Sequence, residues 1–139
     1  MRKYWAMAVA GLLVAGCGAA QDPDDGQDEA GGPLDVSSGR PLSEFEGSPT
    51  YEWRATLAEN ADDYLEAVSA VRPEWNHPRN YTDAISMCDD LSRGTLSGRA
   101  EEIARAQQRF EGGTTPDVTP DEGAALLDAV LTYACPEFQ

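Results

Sequence analysis

The chain has 139 residues, room for one domain and too few for a second catalytic unit. Ten basic side chains stand against 25 acidic ones, a formal charge of −15 at pH 7, which excludes the electrostatic footprint of a nucleic-acid binder. The same acidity repels anionic lipid and phosphate-bearing wall polymers, and favours a cationic partner or divalent ions.

In chain order, Arg2 and Lys3 supply a positive start, Trp5 to Val14 an apolar run of ten residues, and Val14-Ala15-Gly16-Cys17 follows at once. At about 1.5 Å per residue the run is too short for a hydrocarbon layer of roughly 30 Å, so cleavage is expected. The small residues Ala15 and Gly16 before a cysteine resemble the lipobox of bacterial lipoproteins. That resemblance implies a signal peptide over residues 1–16, lipid attachment at the thiol of Cys17, with acyl chains of the palmitate kind, and a place on the extracytoplasmic face of the cell membrane. Two or more acyl chains, each buried methylene contributing about 0.8 kcal/mol, suffice for stable anchoring. Loss of Arg2 and Lys3 leaves 8 basic residues, all of them Arg, against 25 acidic, a charge of −17.

Residues 17–47 carry the lipid-attachment cysteine and then Asp22-Pro23-Asp24-Asp25, Asp28-Glu29, Gly31-Gly32-Pro33 and Ser37-Ser38-Gly39, with few large apolar side chains. Such a stretch buries too little surface to offset its ordering entropy, so a disordered acidic tether is expected. As a coil of about 30 residues it would span roughly 30 Å and hold the domain clear of the lipid. The Asp22 to Glu29 cluster lacks the glycine offset and the twelfth-position Glu of a calcium-binding EF-hand loop.

The domain proper is expected over residues 48–139, as four helices. Ser48-Pro49 reads as a cap with proline at the first helical position. Trp53, Leu57, Ala61, Tyr64, Leu65, Val68 and Val71 then form one apolar stripe that Pro73 ends. After a loop through Trp75-Asn76-His77-Pro78-Arg79, a second helix fits Tyr81 to Ser92, with Tyr81, Ile85, Cys88 and Leu91 inward, Asp83, Asp89 and Asp90 outward, and Gly94 closing it. A third fits Ser97 to Phe110, with Ala100, Ile103, Ala104, Gln107 and Phe110 inward and Gly112-Gly113 as the stop. The fourth opens at Thr119-Pro120-Asp121-Glu122, a cap, a first-position proline and a capping-box Glu, and closes at Cys135-Pro136. No stretch alternates as a strand does, so the fold class is all-α, a small four-helix bundle.

With Cys17 lipidated, Cys88 and Cys135 remain, the number a single disulfide needs in an exported protein. An oxidising compartment favours that bridge over a metal site with His77, and no cysteine pair has zinc-ligand spacing. No metal site and no cofactor are expected.

Tyr64-Leu65, Cys88-Asp89-Asp90-Leu91 with Gly94, Gln108-Arg109-Phe110-Glu111-Gly112-Gly113 and Thr119-Pro120-Asp121-Glu122 leading to Tyr133-Ala134-Cys135-Pro136 together resemble a family of small secreted or lipidated proteins of high-GC Gram-positive bacteria, domain of unknown function 732. The resemblance covers about half the chain, from Tyr64 to Cys135. It implies a helical, disulfide-linked, extracytoplasmic module and no activity. The longer first helix with Trp53 and the polar Trp75 to Arg79 loop depart from the common form.

No catalytic constellation is visible. His77 is the only histidine, and nothing selects an orienting carboxylate and a nucleophile beside it. Adjacent carboxylates such as Asp62-Asp63, Asp89-Asp90 and Glu101-Glu102 point about 100° apart on a helix and do not face each other across a substrate. If the loop is functional, Trp75, His77 and Arg79 form the candidate binding patch, since aromatic and Arg side chains anchor interfaces. The expectation is a non-enzymatic interaction module, anchored in the membrane through Cys17, with an envelope or extracellular protein as partner and no nucleic acid. The alternative is a small envelope hydrolase using carboxylates gathered from different helices.

Overall fold

A computed structural model describes residues 32–111 and 117–139. The signal peptide, Cys17 and the tether as far as residue 31 lie outside the described residues.

Among the described residues the fold is helical, without strands: α1 (Tyr51–Glu59), α2 (Ala61–Val71), α3 (Arg79–Ser92), α4 (Arg99–Phe110) and α5 (Pro120–Tyr133), with single-turn 3-10 helices at Leu42–Phe45, Pro73–Trp75 and Pro136–Phe138. The expected count of four helices becomes five because the first stretch breaks at Asn60. The Asn60 backbone leaves helical geometry (φ −113°, ψ 20°), its side-chain amide donates to the Thr56 carbonyl at 2.8 Å, and its own carbonyl accepts the first bond of α2 from Tyr64. One residue therefore closes α1 and opens α2, a role that suits Asn because its side chain competes for nearby backbone groups. The cap of α1 also moves: Thr50 occupies the capping position, and the Ser48 hydroxyl accepts from the Thr50 N–H at 3.2 Å.

α5 is the central element. Leu126, Leu127 and Val130 are wholly buried, and both α2 and α4 pack against it. Its start follows the sequence pattern, with Thr119 and Glu122 exchanging hydrogen bonds in a capping box behind Pro120. Cys88 on α3 is bridged to Cys135 just beyond α5, with both residues fully buried and their Cα atoms 6.0 Å apart. In α4 the inner stripe runs through the buried Ala106 and Phe110 and the half-buried Ile103 and Gln107, while Ala100 and Ala104 are exposed. α4 lies between α3 and α5 at the surface, so only one narrow i, i+3, i+4, i+7 face is covered.

Residues 33–46, within the range expected to be a tether, are ordered. The chain turns back on itself at Leu34 and Pro41, Leu42 is buried, and the Asp35 side chain is fully buried against Arg54 of α1. Composition does not reveal this order because few apolar side chains, Leu42 and the half-buried Val36, are joined by a polar network that closes on a distant helix. Its carboxylate, two serines and one distant guanidinium satisfy each other.

Candidate functional surface

The Trp75 to Arg79 loop is built by Pro73, which ends α2 and starts a single 3-10 turn, and by Pro78, which opens α3. The three candidate residues separate in space. Trp75 is buried, with the Phe110 ring centroid 6.1 Å away and the Arg72 guanidinium 4.9 Å over its own ring. It is a core residue, and a side chain already covered on both sides cannot anchor a partner. Its buried indole N–H has no hydrogen-bond partner among the described residues. His77 and Arg79 are exposed. The His77 ring nitrogen Nδ1 accepts the Arg79 backbone N–H at 3.0 Å, and the His77 carbonyl accepts that of Asn80 at 3.0 Å, so the histidine caps the start of α3.

Asn80 then ties the loop to the core. Its side-chain amide donates to the Trp75 carbonyl, and its own carbonyl accepts the Tyr64 hydroxyl at 2.9 Å. Burial pushes the Tyr64 hydroxyl well above its ordinary pKa, with the nearby Asp83 charge acting in the same direction, so it stays a donor. Asn80 is thus committed to packing, with its side-chain amide buried and engaged.

The carboxylates stay apart. Asp62 and Asp63 are exposed at the head of α2, and Glu101 accepts the Ser97 backbone N–H at 2.7 Å. Asp89 pairs with Arg93 along α3. Asp90, expected to face outward, is buried: Arg109 of α4 reaches it at 2.7 Å and Arg105 at 3.7 Å, so the pair joins two helices. Asp83 is partly buried, and that burial raises its pKa against the opposing charges of Arg79 and Arg109. At the other end of the scale, Glu122 accepts two bonds from Arg72, at 2.6 and 2.8 Å. Those bonds, followed by that from the Thr119 backbone, hold its carboxyl down at about 2.

Shallow surface depressions accompany these helices. One of about 360 Å³ is lined by Arg99, Asp128, Leu131, Thr132 and Gln139, and one of about 240 Å³ lies over the Ala58 to Asp63 elbow. Among the described residues no group of three or more His, Cys, Asp or Glu is placed to hold a metal ion, and no helix is long and apolar enough to cross a membrane. No protein-family model, curated protein or solved structure matches the chain.

Proposed function

We propose that the chain is an exported lipoprotein whose helical domain, held by lipid on Cys17 at the extracytoplasmic face of the cell membrane, serves as a non-enzymatic interaction module for an envelope or extracellular protein. The observation that carries this reading is Ala15-Gly16-Cys17 directly after a ten-residue apolar run with Arg2 and Lys3 in front of it. The buried Cys88–Cys135 bridge supports it, because such bridges persist in oxidising compartments. The likeness of Tyr64 to Cys135 to domain of unknown function 732 points to the same place. Among the described residues the histidine Nδ1 is engaged at the start of α3, and Asp35, Glu122 and Asp90 are each paired with arginine.

Intact mass of the native protein extracted from membranes, with and without reductant, tests this reading against a Cys17→Ser form. A chain beginning at Cys17 with a diacylglyceryl-sized addition, absent from C17S, is the expected result. A chain of the same start without that addition would remove the anchor and leave a freely secreted protein.

A further inference from the structure

We propose that residues 33–46 are a strap, pinned through Asp35, which takes these residues out of the connection to the lipid and so sets how far the domain stands from the membrane. The inference rests on the anchor reading above. Asp35 is wholly buried, and its carboxylate accepts from the Ser37 hydroxyl at 2.7 Å, the Ser38 hydroxyl and the Arg54 guanidinium at 2.8 Å. Its backbone closes the same turn, with the Asp35 N–H on the Arg40 carbonyl at 2.8 Å and the Gly39 N–H on the Asp35 carbonyl at 2.7 Å. The Leu42 N–H on the Pro33 carbonyl at 2.9 Å fixes the point of entry. On the outer side the Phe45 ring sits 4.2 Å from the Arg54 guanidinium and 5.1 Å from that of Arg40.

A buried carboxylate that gathers three donors on Oδ2 and the Ser37 backbone N–H at 3.4 Å on Oδ1 favours one geometry, because loosening one donor leaves charge less compensated in a covered site. The strap is therefore part of the domain, and the connection to Cys17 is residues 18–32, fifteen in number. Whatever its conformation, a segment of that length reaches at most about 50 Å, where residues 18–47 would reach about 100 Å. Asp35 and Arg54 halve the ceiling on the domain's reach.

The test uses the lipidated protein produced from the full chain and reconstituted in phosphatidylcholine vesicles, its mass confirming the lipid first, so that failure of the anchor is seen separately. Hydrogen exchange of the strap amides in the unaltered protein needs no variant: the amides of Asp35, Gly39 and Leu42 should be protected at least about tenfold over an open chain. Energy transfer to a headgroup acceptor from Trp53 and Trp75, the tryptophans left after loss of Trp5, then reads distance. Asp35→Ala should lower the transfer toward that of a form with fifteen Gly/Ser residues inserted after Gly32, while α3 and α5 keep their exchange protection. Unprotected strap amides in the unaltered protein would overturn the proposal, as would transfer unchanged in D35A but lowered by the insertion.

Discussion

The Trp53 indole N–H donates to the carboxylate of Glu137, 84 positions along the chain, and the Trp53 ring packs against Phe138 at a centroid distance of 6.0 Å. The next residue, Arg54, holds Asp35. Segments near the two ends of the described chain thus meet on two neighbouring side chains of α1, which also packs on α2 and α3 with Leu57 wholly buried. Trp53 is only 6% exposed, so removing its acceptor leaves a covered donor unsatisfied. Glu137→Ala is expected to cost about 1–2 kcal/mol in urea unfolding followed by tryptophan emission, and Glu137→Gln, whose amide oxygen still accepts, less than half of that. Equal losses in the two variants would show that charge, not acceptance, matters at this contact.

The Cys88–Cys135 bridge closes a separation of 47 residues. On the chain-entropy account such a loop contributes roughly 4 kcal/mol, a large part of the 5–15 kcal/mol typical of a small domain. Because neither sulfur-bearing residue has solvent exposure, the folded protein should resist dithiothreitol and become reducible only as urea opens it. Thiol alkylation against urea concentration measures this. Rapid reduction without denaturant would mean that α3 and the end of α5 part locally.

Acid should act mainly through Glu122 and Asp35. Arg72 and the Thr119 backbone hold Glu122 at about 2, below its unfolded value, so its contribution is present above the ordinary carboxylate range and is lost as pH falls toward 2. Asp35 follows the same sign. Burial raises its carboxyl, but the hydrogen bonds from Ser38 and Ser37 and the charge of Arg54 outweigh that effect and leave it lowered. Asp83 runs the other way, since burial raises it and its ionisation at neutral pH opposes folding. Melting temperature between pH 2 and 7 should therefore fall less steeply on the acid side in Glu122→Gln. Asp83→Asn should raise it near pH 7, with the gain shrinking as pH falls through the raised Asp83 value and absent below the ordinary carboxylate range. A D83N form that melts lower at pH 7 would contradict the burial argument.

Much of this architecture could be read from the chain because it rests on local rules. The Thr119 to Glu122 capping box, Pro73 as a stop and Gly94 at positive φ behind α3 each carry their meaning within a few residues. What was missed depends on partners far away. Asp90 looks like one more solvated acid until Arg105 and Arg109 of another helix cover it. Trp75 looks like an exposed anchor until Phe110 and Arg72 close over it. The Asp35 turn is hidden in the sequence because its polar network closes only on Arg54, 19 positions on. Only the break at Asn60 had a local signal, an Asn followed by Asp62 and Asp63 in what becomes a first helical turn.

The close approach of α4 to α5 is set by Gly123, in the first turn of α5. A Cβ there would lie 2.5 Å from Cγ of Gln107 and 3.1 Å from the Ile103 carbonyl oxygen. In an open helix, Gly to Ala gains about 1 kcal/mol, so the substitution sets propensity against packing. Gln107 is a flexible side chain and would yield if free, but its amide donates to the Val118 carbonyl just before the α5 cap. The backbone oxygen of Ile103 cannot move without shifting α4. Overpacking of this kind costs about 1–3 kcal/mol, and here the propensity gain does not cover it. Gly123→Ala is expected to destabilise by about 1 kcal/mol in urea unfolding. Adding Gln107→Ala should return most of the loss, because it removes the obstructing Cγ. A G123A form more stable than the unaltered protein would show that α4 slides freely on α5, and that the Gln107 to Val118 bond does not hold the helices in register.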